Sequence, residues 1–155
     1  MKKLLNTISV LGLVAVASTN VTFASDVESV TGAAEGVFTA NAQLGAVAID
    51  SLDVGTGVFI DPDGSASGTF HAVLAGHSIL GPREITVEGK VIAGIGESSG
   101  AASFSGTATV DLGDGTPALP GVPFIVTVTA NTVVLALDST PLPAAALTAG
   151  AIAIE

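Results

Sequence analysis

Residues 101–110 read AASFSGTATV, and the spacing of their side chains decides the fold. Even positions carry Ala102, Phe104, Gly106, Ala108 and Val110, while Ser103, Ser105, Thr107 and Thr109 supply hydroxyls between them. A period of two is the signature of an extended strand whose successive side chains point to opposite faces. One face is fit for a core and the other for water, so the segment reads as a half-buried antiparallel strand.

The same rhythm extends outward in both directions. Across Glu84–Ile95 the odd positions Ile85, Val87, Gly89, Val91, Ala93 and Ile95 read as the core face, with Ile92 as an exception on the other. In Val122–Ala130 the apolar face is Phe124, Val126 and Val128, opposed by Thr127 and Thr129. Further strands are expected at Val37–Ala40, Leu44–Ile49, Val54–Ile60, Gly68–Leu74, Val133–Leu137 and Ala149–Ile154. Turn residues separate the runs: Asp61-Pro62-Asp63-Gly64, Glu97-Ser98-Ser99-Gly100 and Asn131-Thr132. The longest loop is expected at Asp111–Gly121, whose prolines oppose a central strand. No segment has a convincing helical period, although Pro143–Leu147 has room for one helical turn.

Phe38, Phe59, Phe70, Phe104 and Phe124 fall in five different expected strands, and each is expected to fill core space left by alanine and glycine. The fold expected is all-β: a single antiparallel β-sandwich or small β-barrel of about eight to ten strands.

The N-terminus, MKKLLNTISVLGLVAVASTNVTFAS, has the form of a secretory signal. Lys2 and Lys3 form a basic start, Leu4–Ala17 is apolar, and Thr22-Phe23-Ala24 places small residues where a signal peptidase reads them. Cleavage after Ala24 divides the chain into a signal peptide, 1–24, and a single all-β domain, 25–155. The short basic start looks bacterial, and the destination expected is secreted or periplasmic. Only Arg83 and Lys90 remain as cations against fourteen acidic residues, a formal charge of −12 for 25–155. Such a surface repels phosphate backbones, which disfavours nucleic acid as a partner. The absence of cysteine excludes disulfides, thiolate metal sites and a cysteine nucleophile. Beyond the signal, no apolar run is long enough to span a bilayer as a helix.

Three motifs invite a chemical reading. Asp61-Pro62-Asp63-Gly64-Ser65 resembles the start of a calcium loop, yet the twelfth position, where a bidentate Glu would close the site, is Ala72. A tight turn is the better reading; weak calcium binding there or at Asp111 and Asp114 is left open. Gly96-Glu97-Ser98-Ser99-Gly100 matches G-x-S-x-G, and Gly76-His77-Ser78 begins like an esterase motif. A nucleophile elbow needs a strand-to-helix turn, whereas the residues after Gly100 alternate as another strand. His71 and His77 are the only imidazoles; alternation sends His71 toward water, and His77 is expected in a turn. Neither has the spacing of a helical zinc pair. The expectation is therefore no catalytic residue, no cofactor and no metal site. The lack of Trp and Tyr also removes the usual sugar-stacking platforms and the aromatic girdles of an outer-membrane barrel.

ASFSGTATVDLGDG (102–115) followed by GVPFIVTVTANTVVLAL (121–137) resembles strand pairs in bacterial exported β domains, such as those that follow choice-of-anchor regions in surface proteins. Where those domains carry an Asp-Asn-Gly turn after the last Val-Thr strand, Ala130-Asn131-Thr132 stands here. The resemblance implies an exported β-module and carries no functional residue with it. The role expected is a non-enzymatic structural, surface or adhesive domain, with self-association or other surface proteins as partners. The alternative is a module enclosing a small apolar ligand, in space left by inward residues such as Gly89, Ala93, Gly106 and Ala108.

Overall fold

Every even residue from Ala102 to Val110 is turned inward and buried, and Thr107 and Thr109 are exposed between them. This strand belongs to one antiparallel sheet in a computed structural model that describes residues 28–97 and 100–155. The expected signal, 1–24, lies outside these residues. Its strands in chain order are β1 (Glu28–Leu44), β2 (Val47–Ile60), β3 (Ala66–Ser78), β4 (Gly81–Glu97), β5 (Ala101–Asp111), β6 (Leu119–Thr129), β7 (Thr132–Leu137), β8 (Thr140–Pro141) and β9 (Ala145–Ile154).

Strands β1 to β7 pair in sequence as a meander, and β9 then returns to pair with β1. Contacts β6–β7 and β7–β9 close the sheet into a ring, so the architecture is a barrel rather than a sandwich. β8 is a two-residue appendage on β7. Closure covers most of the edges that would otherwise template pairing with other chains, though not all of them. The seam is the weakest part of the wall. β7 meets β9 through only Thr132↔Ala146 and Val133↔Ala145, whereas β1 and β9 stay paired from Val30↔Ile154 to Phe38↔Ala145.

The interior is a packed apolar core with no buried polar or charged residue among those described. Phe70 is at its centre, stacked on Phe124 at 5.6 Å between ring centroids and edge-on to Phe104 at 5.8 Å. Edge-on and offset contacts of this kind align the positive ring edge with a negative face. Leu52, Leu74, Ile85, Val87, Val126 and Leu135 are fully buried in the same core cluster.

Bulges account for most departures from the expected pattern. Val91 pairs with Gly106 and Ala93 with Ser105, so Ile92 is an extra residue on β4. The insertion flips the phase: Gly94 becomes buried, while Ile92 and Ile95 face outward and Ala93 leaves the core. The adjacent apolar pair Val91-Ile92, which broke the alternation, was the mark of this bulge. A wider irregularity separates Val37↔Ser51 from Ala42↔Ile49, placing Phe38 only half-buried at the rim.

Other expectations are corrected outright. Leu44–Ile49 is not a strand but straddles the Gly45-Ala46 turn, where Gly45 takes a positive φ of 59°. Phe59 is exposed, because the alternation of β2 from Leu52 onward commits Val58 and Ile60 to the core. Pro143–Leu147 forms no helical turn; β9 begins at Ala145, held by β1 through Phe38↔Ala145.

Candidate functional site

The Asp61–Ser65 turn joins β2 to β3. Gly64 N donates to Asp61 O at 2.9 Å and Asp61 N to Ser65 O at 2.8 Å, while Gly64 holds a φ of 86°. The Ser65 hydroxyl sits between the two carboxylates: Oγ donates to Asp63 Oδ1 at 2.6 Å, with Asp61 Oδ2 farther off at 3.2 Å as the competing acceptor of the same hydrogen. Ser65 N adds a bond to Asp63 Oδ1 at 2.9 Å. The Ser65 hydroxyl, with its amide second, holds the Asp63 carboxyl below its ordinary value. The turn also docks on the β4 bulge, since Gly94 N donates to Gly64 O at 3.1 Å.

The β5–β6 loop is built on the same chemistry. Asp111 Oδ1 accepts from Gly113 N at 2.9 Å, and Asp114 Oδ1 accepts from Thr116 N at 2.9 Å and Thr116 Oγ1 at 2.6 Å. The Thr116 hydroxyl lowers the Asp114 carboxyl, with its amide second and a smaller Coulombic contribution from Arg83. Gly113 packs so closely on the Glu84 carbonyl that a Cβ there would collide with it. Each aspartate closes a local turn, and no group of three or more His, Asp or Glu able to hold a metal occurs among the described residues.

His71 is exposed on β3, as alternation requires. His77 is not in a turn but within β3, where its Nδ1 lies 3.0 Å from Asp50 Oδ2. Asp50 is the extra residue of a bulge between Ile49↔Gly76 and Ser51↔Ala75, and that bulge aims its carboxylate at the ring. This pair was not read from the sequence. Aligning the β2–β3 hairpin outward from its turn would bring the two residues close, but the bulge hides the register. Both side chains are more than 60% exposed, at 63% and 65%. Ser78, the neighbour in the esterase-like triplet, spends its hydroxyl on the β3–β4 turn: it donates to Gly81 O and accepts from Leu80 N. Asp50 and His77 thus form an aspartate–histidine pair, and among the described residues no hydroxyl is bonded to the ring. In the G-x-S-x-G segment, Ser98 and Ser99 lie outside the described residues. Gly96 and Gly100 flank an antiparallel connection, Glu97↔Ala101, rather than the strand-to-helix corner an elbow requires.

The inward small residues do not leave a chamber at the points where one was expected. The Cε1 and Cζ atoms of Phe124 stand 2.7 and 2.8 Å from where a Gly89 Cβ would be. At Gly106 the missing side chain lets the Lys90 carbonyl approach, and Ala108 is buried in the core. The clefts open on the outer surface instead; one of about 510 Å³ lies over the backbone of Phe70, Gly89 and Ala108, among the exposed His71, Glu88, Lys90, Thr107 and Thr109. Another of about 370 Å³ lies between the β1–β2 and β3–β4 turns, lined by Leu44, Val47, Ile79, Leu80 and Leu112. At its rim the tip residues Ile79 and Leu80 are 100% and 79% exposed. Comparison with protein-family models, with curated proteins and with solved structures finds no match for the chain.

Proposed function

We propose that the chain is a non-enzymatic barrel domain, exported to the bacterial periplasm or surroundings, with a structural, surface or adhesive role. The observation that carries this reading is the distribution of polar groups. The core is wholly apolar, and the hydroxyls and carboxylates on the outside close turns or meet water. An apolar interior with a Ser/Thr-rich outer face suits a barrel surrounded by water, and is the reverse of one that spans a bilayer around a polar lumen. No helix among the described residues is long and apolar enough to cross a membrane.

The alternative, a barrel enclosing an apolar ligand, is weakened by the Phe124 ring beneath Gly89. An apolar ligand site needs a few hundred Å³ of concave space, and here the central space holds three aromatic rings. The test is titration of the intact barrel with an environment-sensitive apolar dye. Weak, non-saturating binding is expected; saturable binding of one dye per barrel, abolished by Gly89→Val, would replace this reading with the ligand-binding one.

A further inference from the structure

The seam of the barrel leaves two stretches of strand edge beyond the reach of β7, one at each end, and the chain treats them differently. At one end lie β6 before Phe124 and the outer side of β7. Here stand Pro120, Pro123, Pro141 and Pro143, with Asp138 N closing on Pro123 O at 2.8 Å. Proline offers no N–H, so this end cannot template another strand. At the other end β9 runs on past Ala146, its last residue paired with β7, to Ile154. That edge holds no proline and no charge.

The direction of its main-chain groups follows from one observed pair. Ser29 and Glu155 exchange both bonds, at 2.7 and 3.0 Å. Bonding alternates along an antiparallel ladder, so Ala153 and Ala151 likewise direct their main chain to β1. Ile152 and Ile154 then direct theirs the other way, where no strand among the described residues pairs with them. The Thr148 bulge, between Glu35↔Ala149 and Gly36↔Leu147, and Gly150, which holds a φ of 74°, bound the edge, whose regular part begins at Ala151. Outward side chains here are only Ala151 and Ala153, both exposed and too small to fend off a neighbour.

We infer that Gly150–Ile154 is a self-association edge, joined antiparallel to the same edge of a second copy about a two-fold axis at Ile152. Extended main chain added to an open edge is a recurrent mode of recognition. A second copy is the occupant because the segment is self-complementary: Ile152 meets Ile152, and Gly150 meets Ile154. Charge sets the direction. A parallel join would stack Glu155 on Glu155, whereas the antiparallel one places each Glu155 opposite Ala149. In a chain with so few cations, an uncharged stretch of edge is also where two acidic copies repel least. The contact requires the barrel alone, not the exported location proposed above.

In the antiparallel register Ala151 of one copy faces Ala153 of the other, which makes the test specific. The full exported chain is examined by sedimentation over a concentration series, alongside two double variants at these exposed positions. Wild type is expected to approach the mass of a pair as concentration rises, with slowed amide exchange at Ile152 and Ile154. Ala151→Lys with Ala153→Lys should remain single, and Ala151→Lys with Ala153→Glu should pair at least as tightly as wild type. Circular dichroism confirms that both variants fold. A wild type that stays single at its highest soluble concentration, or pairing indifferent to the two lysines, overturns the inference. Loss of pairing in the Lys/Glu variant overturns the antiparallel register.

Discussion

Phe124 occupies the volume that a side chain at Gly89 would need, its ring edge 2.7 Å from the position of the absent Cβ. Gly89 is therefore required by an aromatic ring that reaches it from β6, two strands away in the sheet, and not by its own backbone, which holds no positive φ. Gly89→Ala should displace the ring and cost about 1–3 kcal/mol, as overpacking of a filled core does. Combining it with Phe124→Leu should cost less than the sum of the two single changes, since neighbours in contact are coupled. Denaturant unfolding of the four proteins measures the coupling; strict additivity would show that ring and glycine do not meet.

Phe104→Ala should cost about 3–5 kcal/mol through lost transfer energy and an unfilled cavity. Phe104 is 1% exposed and edge-on to Phe70. Ser105→Ala, on the opposite face, should change stability by no more than about 0.5 kcal/mol. Urea midpoints compare the two, and a severe Ser105 effect beside a silent Phe104 would invert the assignment of faces.

These two positions also show what a sequence discloses. The β5 facing could be read residue by residue because its ladder has one unbroken period from Ala102 to Ala108. Beyond Ile92 the same logic assigned Ile95 to the core and was wrong by one bulge. Register is a tertiary property: whether an extra residue is absorbed by one strand depends on the partner, here Gly106 and Ser105. Asp50 escaped notice for the same reason, since its approach to His77 exists only after a bulge on β2 has turned it. The turns fared better, because Asp-Pro-Asp-Gly states its geometry locally.

Acid should loosen the two aspartate turns late. Asp63 and Asp114 have folded values below the ordinary 3.8, so their contribution is fully present above that value and is lost as pH falls through the lower, folded one. Asp63→Asn with Asp114→Asn should thus melt below wild type by a constant margin at neutral pH. That margin should shrink only under strongly acidic conditions. Thermal melts across a pH series give the answer; a margin that begins to close near neutrality would contradict it.

Calcium should make little difference to these same turns. Asp61→Ala with Asp63→Ala should lower the melting temperature modestly, by loss of the Ser65 bonds, equally with calcium and with a chelator. A large calcium-dependent rise in wild type, absent from the double variant, would turn the hairpin into a metal site.

Export predicts a chain that begins near Ser25. N-terminal sequencing of protein recovered from the periplasm or medium reads the new terminus. Protein held in the cytoplasm with Met1 intact would remove both the signal and the location.

Pairing of β1 with β9 joins residues more than a hundred positions apart, Val30 with Ile154, and has a kinetic meaning. The neighbouring hairpins can form as soon as each pair of strands is present, but the ring has to wait for the ten residues of β9. Loop entropy must be met before that last contact gives anything back, which makes closure slow. A growing chain therefore remains an open ribbon until β9 has been made, and only then does its wall lock into a ring.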